Sequence, residues 1–343
     1  MKRRALQVTA LLFSLFGAAC SAKDGAAGPA GGVGPAGPTG DAGPAGSSGV
    51  TGETGPADID ELDLPGATFY PESLGAAKDG TIFVGSLGGE GVVRFAPGSD
   101  SAKTFVAAGS VKSIAGVLAD DTNGLLYACD NDLGVTPSNA TLRAFDLATG
   151  APKASYPFPA PGFCNDLSFD ASGNLFVTDS FGKVLELSKG ASSLVVWNAD
   201  ALLAPSTATG FGADGIAFDG VGSFYVNTYT DHRLMRIPVS GDGKSGPVSI
   251  VTVTPALAGP DGMRMLDANT LVVAEGLSGQ LTKIVVSGTN ATATTLANRL
   301  DAPTSVILLG AHYWVTEGQL GHFGGLVSGP PQLPFLVRRL RAQ

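Results

Sequence analysis

The chain has 343 residues, of which 44% are hydrophobic and 15% charged, and its formal net charge is −9. So apolar a composition excludes general disorder, and without a basic stripe a nucleic-acid partner is excluded. The one long apolar run lies at the N-terminus, so no internal membrane span is expected.

Residues 1–19 read as a secretory signal peptide. Lys2, Arg3 and Arg4 form the basic start, residues 5–16 the apolar run, and Gly17, Ala18 and Ala19 the small-residue cleavage site. Placed before Cys20, this ending resembles a bacterial lipobox, in which the cysteine is lipidated as the mature N-terminus. Gly17 stands where that motif usually has an aliphatic residue, and an ordinary cleaved signal is the alternative. Ser21 goes, by resemblance, with outer-membrane sorting. The expectation is an exported protein of the bacterial cell envelope, at the outer membrane or cell surface, touching the membrane only through a lipid on Cys20.

Residues 20–57 form a collagen-like stalk or linker. Glycine recurs every third residue from Gly25 to Gly55, eleven times in phase, with Pro29, Pro35, Pro38, Pro44 and Pro56 following in the triplets. Only glycine fits the axis of a collagen triple helix. Two readings remain: a homotrimer through this stretch, or an extended spacer of roughly 100 Å at ~3.1 Å per residue.

Residues 58–343 carry an internal repeat. An aliphatic and aromatic run recurs six times, at residues 80–85, 124–129, 173–178, 222–227, 269–274 and 311–316, each after a turn rich in Gly, Asp or Asn. A second short strand follows each run, and another precedes it. Aligned at residues 72, 115, 165, 214, 261 and 304, the copies lie 43 to 50 residues apart, the period of a four-stranded propeller blade. The fold class is therefore read as all-β, a six-bladed β-propeller of four-stranded blades, with an open sandwich as the alternative. The last copy ends one strand short, and residues 58–70 are expected to supply that strand and close the ring.

Innermost strands line a propeller's channel. Aligning the copies puts Glu72, Ala115, Asn165, Asp214, Asp261 and Thr304 just before them. Converging carboxylates repel unless a cation or protons compensate them. An all-oxygen set suits one hard divalent ion, Ca²⁺ first, with Mn²⁺, Mg²⁺ and Zn²⁺ as alternatives. The structural alternative is that Asp214-Gly215 and Asp261-Gly262 are turn dipeptides. A second ring, Ser86, Asp130, Asp179, Thr228, Glu275 and Glu317, is expected further out on the same face, mostly bonding neighbouring blades. The loop at 318–334 is a candidate lid. His322 within it and His232 are candidate proton-transfer or substrate-binding groups, against the plainer reading of solvated loop histidines. Cys129 and Cys164 both approach this face, as a disulfide or as two buried thiols.

On Pro71-Glu72-Ser73, Cys164-Asn165-Asp166-Leu167, Ala213-Asp214-Gly215-Ile216 and Gly259-Pro260-Asp261-Gly262-Met263, residues 68–340 resemble the senescence-marker-protein, gluconolactonase and luciferin-regenerating-enzyme family. The resemblance implies one divalent ion held by Glu72, Asp214 and Asp261. Asp214 replaces the family's usual Asn and adds negative charge. It also implies Asp261 as catalytic base, Asn165 as a contact to ion, water or substrate, and hydrolysis of a small lactone or related cyclic ester. The competing readings are a non-catalytic displayed propeller that binds a small molecule or a partner protein, and another propeller enzyme of strictosidine-synthase-like type.

Overall fold

The computed structural model describes residues 59–323 and 325–342. The signal peptide, Cys20 and the collagen-like stretch lie outside them. The described chain opens with β1 (Glu61–Leu64). Next come β2 (Pro71–Ala76), β3 (Ile82–Ser86), β4 (Val92–Phe95) and β5 (Lys103–Val106), then β6 (Ser113–Asp120), β7 (Leu125–Asp132), β8 (Asn139–Asp146) and β9 (Pro152–Pro157). The third group is β10 (Cys164–Phe169), β11 (Leu175–Asp179), β12 (Lys183–Leu187) and β13 (Val195–Asn198). After a 3₁₀ turn (Ala201–Leu203) follow β14 (Ala213–Phe218), β15 (Ser223–Thr228), β16 (Arg233–Pro238) and β17 (Ser249–Thr254). The chain continues through β18 (Pro260–Asp267), β19 (Thr270–Glu275), β20 (Gln280–Ser287) and β21 (Asn290–Ala297). It ends with β22 (Pro303–Leu309), β23 (His312–Glu317), the helical turn α1 (Leu320–Phe323) and β24 (Phe335–Arg341).

The innermost strands β2, β6, β10, β14, β18 and β22 each neighbour the next, and β22 returns to β2, so they form a closed ring. β1 pairs antiparallel with β24 (Leu62↔Val337, Leu64↔Phe335) and fills the outer place of the last sheet. This seals a free edge, and Leu62 and Leu64 are buried by it.

The expectation of six separate four-stranded blades is corrected. The sheets are four of four strands and one of eight, in the order β14-β15-β16-β17-β21-β20-β19-β18. β17 and β21 join in parallel through Thr252↔Asn290, Val253↔Ala291 and Thr254↔Thr292. The cause lies in the side chains. β17 reads SIVTVT and β21 NATATTLA, with no charge and no proline. Such an edge offers its backbone to any partner. By contrast β5 carries Lys103, and β9 carries Pro152, Lys153 and Pro157. Both groups are edge guards.

The second strands are buried almost throughout, as in IFVGS of β3 and LFVTD of β11, because neighbouring sheets cover both faces. Between β10–β13 and β14–β17 the filling is aromatic, with Phe176 4.3 Å from Phe224 and Trp197 edge-on to both, centroid to centroid. The hairpins into the second strands are closed by Asp side chains accepting backbone N–H groups. Asp170 accepts from Ser172 and Asn174, and Asp219 from Val221, Gly222 and Ser223.

Cys129 on β7 and Cys164 on β10 are disulfide-bonded and tie two neighbouring sheets, 35 residues apart in sequence. A loop of that length corresponds to about 3–4 kcal/mol of chain-entropy stabilisation. Replacing both cysteines with alanine is therefore expected to lower Tm by on the order of 10 °C. Calorimetry of the double variant against the oxidised protein measures this, and an unchanged Tm would show that the bond does not limit unfolding.

Candidate active site in the propeller channel

Each innermost strand is bulged at the start. The register slips between Pro71 and Ser73, Ile114 and Val117, Cys164 and Leu167, Ala213 and Ile216, Pro260 and Met263, and Pro303 and Val306. Glu72, Ala115, Asn165, Asp214, Asp261 and Thr304 all fall inside these bulges and are buried. They lie within the strands, not ahead of them as the alignment placed them. A bulge re-aims side chains that a flat ladder would alternate.

Asp214-Gly215 and Asp261-Gly262 are accordingly not turn dipeptides. Their glycines stand where the next strand's backbone presses in. A Cβ on Gly215 would meet the Asp261 carbonyl oxygen at 2.5 Å, and one on Gly262 the Thr304 carbonyl oxygen at 2.8 Å. Gly116 has the same relation to the Asn165 carbonyl oxygen, at 2.3 Å.

Two or three residues ahead of every ring residue, a side chain from the far end of the second strand, or just past it, grips the lead-in backbone. Ser86 Oγ donates to the Phe69 carbonyl at 2.5 Å, and the Lys112 amide donates to Asp130 at 2.7 Å. The Phe163 and Phe211 amides donate to Asp179 at 3.0 Å and to Thr230 Oγ1 at 2.8 Å. The Ala258 and Asp301 amides donate to Glu275 at 2.6 Å and Glu317 at 3.0 Å. Five members of the expected second ring thus act as clamps. In the remaining copy Thr230 replaces Thr228, which accepts instead from the Arg233 amide. Burial pushes the Asp130 and Asp179 carboxyls up, opposed by these N–H donors and by Arg143 and Lys183.

The acids themselves are a strained electrostatic group. Asn165 Nδ2 donates to Ser180 Oγ at 3.1 Å and to Asp214 Oδ2 at 3.0 Å. Asp261 lies within electrostatic reach of both Asp214 and Glu72. Asp214 Oδ1 is buried without a partner. Burial, then the Asp166 charge, pushes Asp214 up to about 8. Burial, Asp214 and Glu72 hold Asp261 well above the usual carboxylate range. Glu72 is raised by burial, Asp214 and Asp166, with Arg264 opposing. Arg264 Nη1 pairs with Asp166 at 2.8 Å and with the Met263 carbonyl at 2.7 Å, while its buried Nη2 has no partner.

Among the described residues no three His, Cys, Asp or Glu side chains form a ready-made metal-binding group. The donor chemistry nevertheless suits a hard ion, since the group is all oxygen and Asp214 Oδ1 is unused.

Three neighbours of the ring stand outside the residues predicted from sequence. Asp166 and Ser180 meet Arg264 and Asn165 directly. Tyr229 feels Asp261 and Asp214, which together with its burial push its hydroxyl well up. Each lies one position beyond a ring residue (Asn165, Asp179 or Thr228), so the repeat register already marked the spot. His322 lies on α1 with Nδ1 3.2 Å from the Gly329 carbonyl oxygen, and His232 is exposed in the β15–β16 hairpin. The 318–334 loop is held by paired hydrogen bonds between Gln319 and Gln332, and by Phe323 edge-on to Tyr70 at 5.1 Å.

Asp214 keeps its proton in the folded chain up to about pH 8 but loses it near pH 3.9 when unfolded. The folded state therefore binds more protons between those values, and stability falls as pH rises through the window. For cation-stripped protein the slope is up to about 1.4 kcal/mol per pH unit for each proton involved. Urea melts from pH 5 to 8 are expected to show it, and Asp214→Asn to flatten it.

No family model and no curated protein matches the chain. Solved structures do. A luciferin-regenerating enzyme superposes with TM-score 0.59 at 13% identity, covering 81% of this chain and 93% of that one. The gluconolactonase XC5397 from Xanthomonas campestris gives TM-score 0.59 at 14% identity, over 83% and 90%. The PQQ-bound aldose sugar dehydrogenase from Streptomyces coelicolor gives 0.56 at 14%, over 82% and 97%. At such identities the likeness is one of architecture, and the architecture it shows is the all-β propeller.

Proposed function

We propose that the chain is a hydrolase of the gluconolactonase-like type, opening a lactone or related cyclic ester at the channel acids with the help of one divalent ion, Ca²⁺ first. The observation that carries this is the burial of Glu72, Asp214 and Asp261 at one register with Asp214 Oδ1 unpartnered. Protein interiors seldom keep such a group without a use for it. Likeness to enzymes that handle lactones and sugars supports the reading. The Cys129–Cys164 bond supports export, since disulfides persist outside the cytoplasm.

Glu72, Asp214 and Asp261 would hold the ion, which when bound supplies positive charge beside the substrate carbonyl. Asp261 takes a proton from the attacking water. The water oxygen bonds to the carbonyl carbon, the ring C–O bond breaks, and the departing alkoxide takes the proton back. Asn165, fixed by Ser180 and Asp214, orients the substrate. A non-catalytic displayed propeller is the second reading. It is favoured by the hydrogen bonds the ring makes within itself, such as Asn165 Nδ2 to Asp214 Oδ2 at 3.0 Å, which a purely structural group would also make.

Acid release from a panel of lactones, with Ca²⁺, Mn²⁺ or Zn²⁺ added after chelation, tests this. Ion-dependent turnover is expected to fall about 10²–10⁴-fold in Asp261→Ala. Absence of turnover across the panel by folded, ion-loaded protein would leave the binding reading in its place. Ca²⁺ is also expected to raise Tm more at pH 8 than at pH 5, because it competes with protons for the same oxygens.

A further inference from the structure

A cavity of about 460 Å³ opens on the same face, walled by Val135, Pro137, Phe163, Phe181, Pro205 and Phe211 among others. No charged side chain lines it. Its volume lies in the range of small-molecule sites.

Its walls are held in place. Ser138 donates its hydroxyl to the Gly162 carbonyl at 2.7 Å, and the Gly162 amide returns a bond to the Ser138 carbonyl at 3.0 Å. The Gly212 amide reaches the Ser180 carbonyl at 2.7 Å, and the Ser206 amide reaches Asp231 at 3.0 Å. Phe163 and Phe211 meet edge to face, with ring centroids 5.3 Å apart. These same two residues are the clamped lead-ins to Asn165 and Asp214. The apolar wall is thus built from the backbone that positions the polar group. At the rim, Val135 and Phe181 remain 39% and 37% exposed.

We infer that this cavity binds the uncharged, ring-bearing or alkyl body of a small molecule whose ester carbonyl lies toward the channel acids. The preferred substrate class is then an apolar-substituted lactone or aryl ester, not a polyhydroxylated sugar lactone. A polyol would lay many of its hydroxyls against phenylalanine, proline, valine and leucine, with the hydroxyls of Thr136, Ser138, Ser206, Thr207 and Thr209 the only polar side chains to meet them. The substrate consequence rests on the proposed hydrolase reading, whereas the binding itself does not.

The neutral fluorophore N-phenyl-1-naphthylamine, titrated into the full mature chain, probes the cavity without turnover. Saturable binding is expected, weakened tenfold or more in Phe181→Asp and in Val135→Asp. Both positions are partly exposed, so both variants should melt like the parent. Val221→Asp, at a position 78% exposed in the β14–β15 turn away from the cavity, should bind as the parent does. Aliphatic lactones should displace the probe about three- to fourfold better per added methylene, and gluconolactone should not. Asp261→Asn should abolish turnover and keep the probe. Loss of turnover with binding intact therefore concerns only the hydrolase reading. Failure to saturate, or equal binding by the two rim variants, would overturn the cavity assignment.

Discussion

The closed ring of innermost strands is the constraint from which the site follows. Closing it brings the bulge of one strand against the backbone of the next, and polar side chains bridge most of these contacts. Thr178 donates to the Asp214 carbonyl at 2.5 Å, and Asn227 donates to the Asp261 carbonyl at 2.6 Å. Thr304 donates to the Pro71 carbonyl at 3.1 Å. Asn131 exchanges two hydrogen bonds with the Cys164 backbone. The residues whose side chains point into the channel thus have main chains anchored to neighbouring sheets. Buried backbone groups need such partners, so the same bonds hold the fold together and aim the acids.

That rigidity explains how the acids can stay where water is scarce. An ionised carboxylate taken out of water loses several kcal/mol of solvation, so such a group calls for protons or a cation to compensate it. The raised Asp214 and Asp261 carboxyls and the unpartnered Asp214 Oδ1 are two signs of the same shortage of compensating charge. Arg264 supplies some of it, but its ion pair is with Asp166 rather than with the ring.

The joined β17–β21 edges show a different balance. Elsewhere lysine, proline or shortness keeps outer strands apart. Here two uncharged, β-branched and small-residue strands lie close enough to share three aligned pairs. The pairing hides both edges from foreign chains and leaves the channel-lining strands β14 and β18 adjacent, as the ring requires.

The six repeats, the closing strand before the first copy and the register of Glu72, Asn165, Asp214 and Asp261 were legible in the sequence, because strand patterning and turn chemistry are local and recur at a constant period. The glycines after the acids were legible too, but their reason was not. Gly215 and Gly262 read as turn residues until the next strand's carbonyls are seen against them. The β17–β21 pairing, the move of the clamp from Thr228 to Thr230, the Asp166–Arg264 pair and the apolar cavity were decided only by tertiary structure. Each depends on which segments, far apart in the chain, the closed ring brings within a few ångströms, and no local pattern encodes that distance.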